Sequence, residues 1–347
     1  MICNYDIDYI SEQMSERYEM KLRSIEIAKI CGVSRGTVDR ALNDRPGINQ
    51  GTRAKIIKVA EELGYRPNFL AQSLVKGMTL SIGVILFDIN NRILAQVVNA
   101  IEQRAREQGY FVYLTLSNKD AELEKEYLLN LVDRKVDGIA LLSVNKGPEF
   151  EVFLRNLKTP IVTFGNKVSD EFPFVWINDY QAIQDAVIHI ISKGYTEIIY
   201  VSPPLTNIGH TNLYGPEKRY MALIETCRNY EFITCTVINH KNYLYELDLL
   251  LRNNSKKTAI LCSSDVYAIN ILNHLNGQGI RVPKDIGLMG FDNIDILKFI
   301  TPGMTTVDYH VDQIGYSVID QLLEKMKNNE VDTFTCLEHA IIERDTL

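Results

Sequence analysis

Ser24 to Asn43, SIEIAKICGVSRGTVDRALN, reads as two short helices joined by a glycine-centred turn. Ser24 can cap the first helix and Gly32 ends it, because glycine tolerates the left-handed backbone that closes a helix. Ser34 can cap the second. Ile25, Ala28, Val33, Val38 and Leu42 are the expected small core, with Ala28 letting the helices approach. A third helix is predicted from about Asn49 to Leu63, with Ile56, Ala60 and Leu63 on one face and Gly64 as its stop. This pattern presents a helix to the DNA major groove, with Arg35, Gly36 and Thr37 at its exposed start and Arg40 one turn on. Arginine is shaped to read guanine, while the Ser34 and Thr37 hydroxyls and the helix N-terminus suit phosphate, and Asn43 at the helix end is a further candidate DNA contact.

Charge is distributed to match. The 347 residues carry a net −7, yet residues 20–77 hold eleven Lys/Arg against five Asp/Glu, a net +6. A basic head on an acidic remainder is the asymmetry expected where only the head meets phosphate. Hydrophobic content of 46% and charged content of 23% suit a globular chain of two or three domains. The longest apolar runs are strand-length, so no membrane span is predicted. Residues 1–20 are acidic and lack the apolar stretch of a signal peptide; they are expected to be a disordered extension, and the location cytoplasmic. Six scattered cysteines without a CxxC pair suit a reducing compartment and neither disulfides nor a metal site.

From Ser81 the pattern changes to apolar strands alternating with amphipathic helices. The strands are expected at 81–88, 110–117, 137–143, 160–165, 174–178, 197–203, 232–238, 258–264 and 286–292, with a last one at Leu337–Arg344. Helices such as Leu94–Gln108, Ala121–Asp133 and Tyr180–Ser192 lie between. That alternation implies α/β architecture with parallel sheets wrapped by helices, and the strand number implies two similar lobes.

At this point the chain resembles the LacI/GalR family of bacterial transcription regulators. The resemblance rests on Ile27-Ala28, Gly32-Val33-Ser34, Thr37-Val38, Arg40 and Leu42-Asn43. It continues through Thr52-Arg53, Leu63 to Asn68, Ala71, Leu74, Ile82 to Val84 and Val136 to Ile139. It ends with Gly279 to Ile286, Gly290-Phe291-Asp292 and Thr301 to Val307. It implies a homodimer on a pseudo-palindromic double-stranded operator, with Asn68, Ala71 and Leu74 in a hinge helix and Leu74 wedged into the minor groove. It also implies a two-lobed body like the periplasmic binding proteins, with a small-molecule effector, a sugar or sugar derivative, between the lobes. The domains are then a head at 21–64, a hinge at 65–77, lobe 1 at 78–178 plus 307–330, and lobe 2 at 179–306 plus 331–347. Effector-binding residues carried over are Asp88, Asn90, Asn91, Trp176, Arg219, Ser264, Asp265 and Asp292. Closure of the cleft would shift the dimer interface and fold or unfold the hinge helices.

Several departures blur what is recognised. The family usually has Ser where Asp39 stands; an acid there accepts a hydrogen bond from cytosine N4, pairs with Arg35 or Arg40, or faces away. Ile93-Leu94 replaces an aromatic pair, Gly165-Asn166 replaces Asp-Arg, and Arg219 is the best substitute for an R-x-x-G arginine. Trp176 either stacks on a sugar or fills the lobe interface. The rival classes are an activator of the same build and an α/β enzyme. Against the enzyme, no GxGxxG follows a strand, no P-loop, HExxH or GxSxG occurs, and the six histidines fall at no metal-ligand spacing. No metal or cofactor is expected.

Overall fold

The computed structural model describes residues 24–65, 77–205, 212–252 and 256–347. The chain forms two compact units, Met1–Thr79 and Leu80–Leu347. In the first, helices α1 (Ser24–Cys31), α2 (Arg35–Leu42) and α3 (Gln50–Glu62) enclose Ile27, Ala28, Cys31, Val38, Ala41, Ile56 and Ala60. The expected core is corrected here. Ile25 is 49% exposed and Leu63 37%, while Val33 and Leu42 pack at the edge. The inward stripe of α1 runs through Ile27, Ala28 and Cys31, which share one helical face as Ile25 does not. Gly32 turns the chain at φ +70°. Ser34 caps α2 by accepting Thr37 N–H at 3.1 Å, and Asn49 caps α3 by accepting Gly51 N–H at 2.8 Å.

The second unit holds two six-stranded sheets. Lobe 1 contains β1 (Ser81–Leu86), α4 (Arg92–Glu107), β2 (Phe111–Leu116), α5 (Ala121–Asp133), β3 (Gly138–Leu141), α6 (Pro148–Asn156), β4 (Ile161–Phe164) and β5 (Phe174–Ile177). Lobe 2 follows with α7 (Asp179–Ser192), β6 (Glu197–Val201), α8 (Tyr214–Arg228), β7 (Thr234–Ile238), α9 (Tyr243–Arg252), β8 (Thr258–Cys262), α10 (Asp265–Gly277) and β9 (Gly287–Phe291). A 3₁₀ turn (Asp295–Phe299) precedes β10 (Thr305–Asp308), α11 (Val311–Met326), β11 (Phe334–Leu337) and β12 (Ala340–Ile342).

Strand orders are β11-β5-β4-β3-β1-β2 and β12-β10-β9-β8-β6-β7. Among the described residues every pairing is parallel except β10 with β12. Central strands such as β1, β8 and β9 are buried along their length because helices cover both faces, whereas edge strands β2, β7 and β11 are partly exposed. The nine strands expected between residues 81 and 292 all form. The last expected strand does not: Leu337–Arg344 divides between β11, which pairs with β5 of lobe 1, and β12, which pairs with β10 of lobe 2. Glu338 and His339 interrupt the apolar run and let the chain change sheets. The boundaries move accordingly. β10 belongs to the lobe 2 sheet, α11 packs on α4 and the lobe 1 strands, and lobe 1 keeps the chain to Leu337.

In both lobes the strand order reverses at the first strand, so β1 lies between β2 and β3, and β6 between β7 and β8. Ligands of open α/β sheets bind outside the carboxyl ends of strands at such switch points. The residues just past β1, β3, β6 and β8 therefore border the crevices where a ligand would sit.

Candidate functional site

On the head, Val38 and Ala41 turn inward and fix which residues α2 shows to solvent. Arg35, Gly36, Asp39 and Arg40 are exposed, and Thr37 and Asn43 partly so. Arg35 and Arg40 make no ion pair among the described residues. Ser34 Oγ and Thr37 Oγ1 lie 2.9 Å apart at the helix start. Asp39 pairs with neither arginine the sequence offered. Its carboxylate accepts from Asn43 Nδ2 at 2.9 Å and Arg45 Nη1 at 3.2 Å. Asn68, Ala71 and Leu74 lie outside the described residues.

In the body, a cavity of about 330 Å³ opens at the carboxyl ends of the strands. From lobe 1 it is lined by Phe87, Asn91, Ile93, Leu94, Lys119, Leu142, Val144, Gly165, Asn166 and Trp176, and from later in the chain by Pro203, Asn212, Leu213, Gly215, Pro216, Arg219, Ser263, Ser264, Tyr267, Asp292 and Tyr309. Of the eight expected effector residues, Asn91, Trp176, Arg219, Ser264 and Asp292 thus meet in one cavity.

Three are elsewhere. Asp88 Oδ1 accepts the N–H groups of Asn90 (2.9 Å) and Asn91 (3.0 Å), so Asp88 shapes the loop rather than the wall, and Asn90 is exposed and outside the cavity lining. Asp265 is fully buried. It accepts from Thr306 Oγ1 at 2.6 Å and Ile294 N–H at 2.9 Å, and so ties α10 to β10 and the turn after β9. A Cβ on Gly290 would come within 2.1 Å of its Oδ1, so the glycine before Phe291-Asp292 exists to admit this carboxylate. Burial among these groups, with Asp292 nearby, pushes the Asp265 carboxyl well above its ordinary range.

Arg219 is the pivot of the cavity. Its Nε donates to Asp179 Oδ1 at 2.7 Å and Nη1 to Ser263 O at 2.7 Å; Nη1 also lies 3.9 Å from Asp292 Oδ1. The guanidinium sits 3.7 Å from the Phe291 ring centre, a cation–π contact that fixes its plane. Trp176 Nε1 donates to Asp179 Oδ2 at 3.0 Å, and Trp176 lines the cavity. Tyr309 Oη donates to Asp292 Oδ1 at 2.7 Å. Asp292 adopts φ +120°, a strained backbone for a residue with a side chain, held because its N–H donates to Val307 O at 2.9 Å. Burial pushes its carboxyl up to about 7, against the pull of Arg219 and the Tyr309 hydroxyl.

The lobes also touch around the cavity. Asn212 donates from its N–H to Val144 O (2.9 Å) and from Nδ2 to Asn145 O (3.2 Å) and Lys167 O (3.0 Å). Asn166 Nδ2 donates back to Asn212 O at 2.9 Å. Buried Glu124 braces the receiving loop, accepting from Ser143 Oγ at 2.6 Å and Val144 N–H at 2.8 Å. Arg92, at the start of α4, forks onto Asp295 of the 3₁₀ turn with two contacts of 2.7 Å.

Asp179, Asn166, Asn212 and Tyr309 were missed from the sequence. Asp179 could have been found, since an acid opening a helix directly after a strand is a cleft-edge position. Asn212 and Tyr309 carry no local signal.

Comparison with known proteins bears on both units. Residues 25–68 match the model of bacterial regulatory proteins of the lacI family, and residues 187–347 match a periplasmic binding protein-like domain. Catabolite control protein A of Priestia megaterium is 31% identical over 318 residues, covering 90% of this chain and 94% of that protein. The chain belongs to the lacI family of bacterial regulatory proteins. RegA of Clostridium saccharobutylicum, an HTH-type transcriptional regulator, is 30% identical and covers 92% of this chain and 98% of its own. The lac repressor dimer bound to operator and the anti-inducer ONPF shares the fold, with a TM-score of 0.83 at 22% identity, covering 94% of this chain and 98% of that one. As a lacI-family member the chain is a DNA-binding transcriptional regulator. No helix among the described residues is long and apolar enough to cross a membrane.

Proposed function

We propose that this regulator is a homodimeric repressor of a pseudo-palindromic operator, switched by an uncharged sugar or sugar derivative held in the body's cavity. Arg35 and Arg40 read base edges, Gly36 lets the helix start approach closely, Ser34 and Thr37 hold phosphate, and Asn43 and the hinge residues Asn68, Ala71 and Leu74 complete the contact. Asn91, Arg219, Ser264 and Asp292 supply hydrogen bonds to effector hydroxyls, and Trp176 an apolar wall. A structural relative, the regulator CelR, was solved with cellobiose, which fits a sugar effector.

The charge of the cavity carries the choice of an uncharged ligand. Arg219 is already matched by Asp179 and Asp292, and Lys119 lies at the mouth, 3.9 Å from Asp88. A phosphate or carboxylate would find no cation without a counter-ion, whereas neutral hydroxyls can donate to Asp292 and accept from Arg219. Calorimetric titration of the full chain with neutral sugars, nucleosides and their phosphorylated forms tests this. Neutral compounds alone should bind; preference for a phosphorylated form would refute the assignment. Selection of duplexes from a random pool should return two half-sites related by a dyad, and an asymmetric single site would contradict the dimer.

A further inference from the structure

Asp39 lies one turn after Arg35 and one turn before Asn43, so the three share a face of α2. Both its carboxylate oxygens are engaged, Oδ1 by Asn43 Nδ2 and Oδ2 by Arg45 Nη1. Arg45 is in turn held by its backbone. Its N–H donates to Arg40 O at 2.9 Å, closing a helix-ending turn in which Asp44 takes φ +51°. Its carbonyl accepts from Arg53 Nη2 at 2.6 Å, and Arg53 pairs with the Asp44 carboxylate. Two Asp–Arg pairs therefore neutralise two guanidinium groups beside the helix that carries Arg35 and Arg40.

The Asp39 and Arg45 side chains are 51% and 48% exposed, so the pair is open to exchange with a phosphate. An unpaired arginine here would add one sequence-blind phosphate contact, and such contacts supply most of the affinity for arbitrary DNA. We propose that Asp39 is a specificity-determining positioning residue: by pairing with Arg45 it withholds that cation from the backbone of non-operator DNA, leaving Arg35 and Arg40 to distinguish the operator. This rests on the DNA-contacting role of the head.

The test is binding of the full chain to a random-sequence duplex across a salt series, with thermal melting to confirm folding. Asp39→Ser should bind the random duplex several-fold more tightly near 0.1 M salt, and its log affinity should fall more steeply with log salt, by a slope of about one. The double variant Asp39→Ser, Arg45→Gln restores the net charge of the unaltered chain and should return the slope to that of the unaltered chain. An unchanged slope in Asp39→Ser overturns the proposal. So does a loss confined to selected duplexes at one cytosine position, which would make Asp39 a base reader. If the unaltered chain shows no salt-dependent duplex binding at all, it is the DNA role of the head that fails.

Discussion

The second helix of the head and the cavity of the body each set an aspartate beside an arginine, in opposite surroundings. Asp39 and Arg45 are half exposed, while Arg219, Asp179 and Asp292 keep side-chain exposures of 10%, 0% and 4%. An exposed pair is screened and exchangeable, worth about 0–1 kcal/mol. A buried set is expensive to assemble and more expensive to break, because a lost partner strands a charge in the interior. The same two side-chain types therefore make an adjustable surface on the head and a rigid, preorganised one in the body.

The largest expected effect is on the buried side. Arg219→Met leaves Asp179 and Asp292 without their cation and should destabilise the chain by roughly 3–5 kcal/mol in urea unfolding. A loss below ~1 kcal/mol would mean the cavity floor is hydrated and the contrast with the head is false. Next comes Asp292→Asn, which keeps the shape and removes the charged acceptor. It should weaken the effector by about 10- to 100-fold in calorimetry, the value of a hydrogen bond to a charged group.

The same residue gives a pH signature. Its folded-state carboxyl is raised to about 7, so this group's contribution to stability is greatest below the ordinary carboxylate range and is lost as pH rises through 7. In the proposed binding mode effector hydroxyls donate to the ionised form, so affinity should climb by up to tenfold between pH 6 and pH 8 with proton release. Buffers of different ionisation enthalpy reveal that release, and Asp292→Asn should abolish it. The smallest effect is expected on the head. Asp39→Ala should shift thermal stability by less than ~1 kcal/mol, and a larger loss would show that the exposed pair is structural.

The fold was legible wherever local periodicity carries it. The helix–turn–helix and the nine strands from 81 to 292 follow from capping residues, Gly32 and apolar runs, which are properties of neighbouring residues. The misses occurred where a distant partner decides. Ile27 rather than Ile25 fills the head because of where α3 lies. The split of Leu337–Arg344 depends on pairing with β5 and β10, over 100 and about 30 residues away. Asp265 had the residue type and strand-end position of a ligand contact, and Thr306 and Ile294 consume it internally. Asp39 was the clearest puzzle in the sequence, and its partner Arg45, in the turn beyond the helix, appears only in three dimensions.

One measurement tests the central claim most directly: operator affinity of the full chain with and without a saturating neutral effector, alongside effector affinity with and without operator. If cavity and head are coupled, the effector should change operator affinity by about 5- to 150-fold, and the operator should change effector affinity by the same factor. Tight effector binding with operator affinity unchanged would contradict the account, since a ligand that binds both states equally shifts nothing.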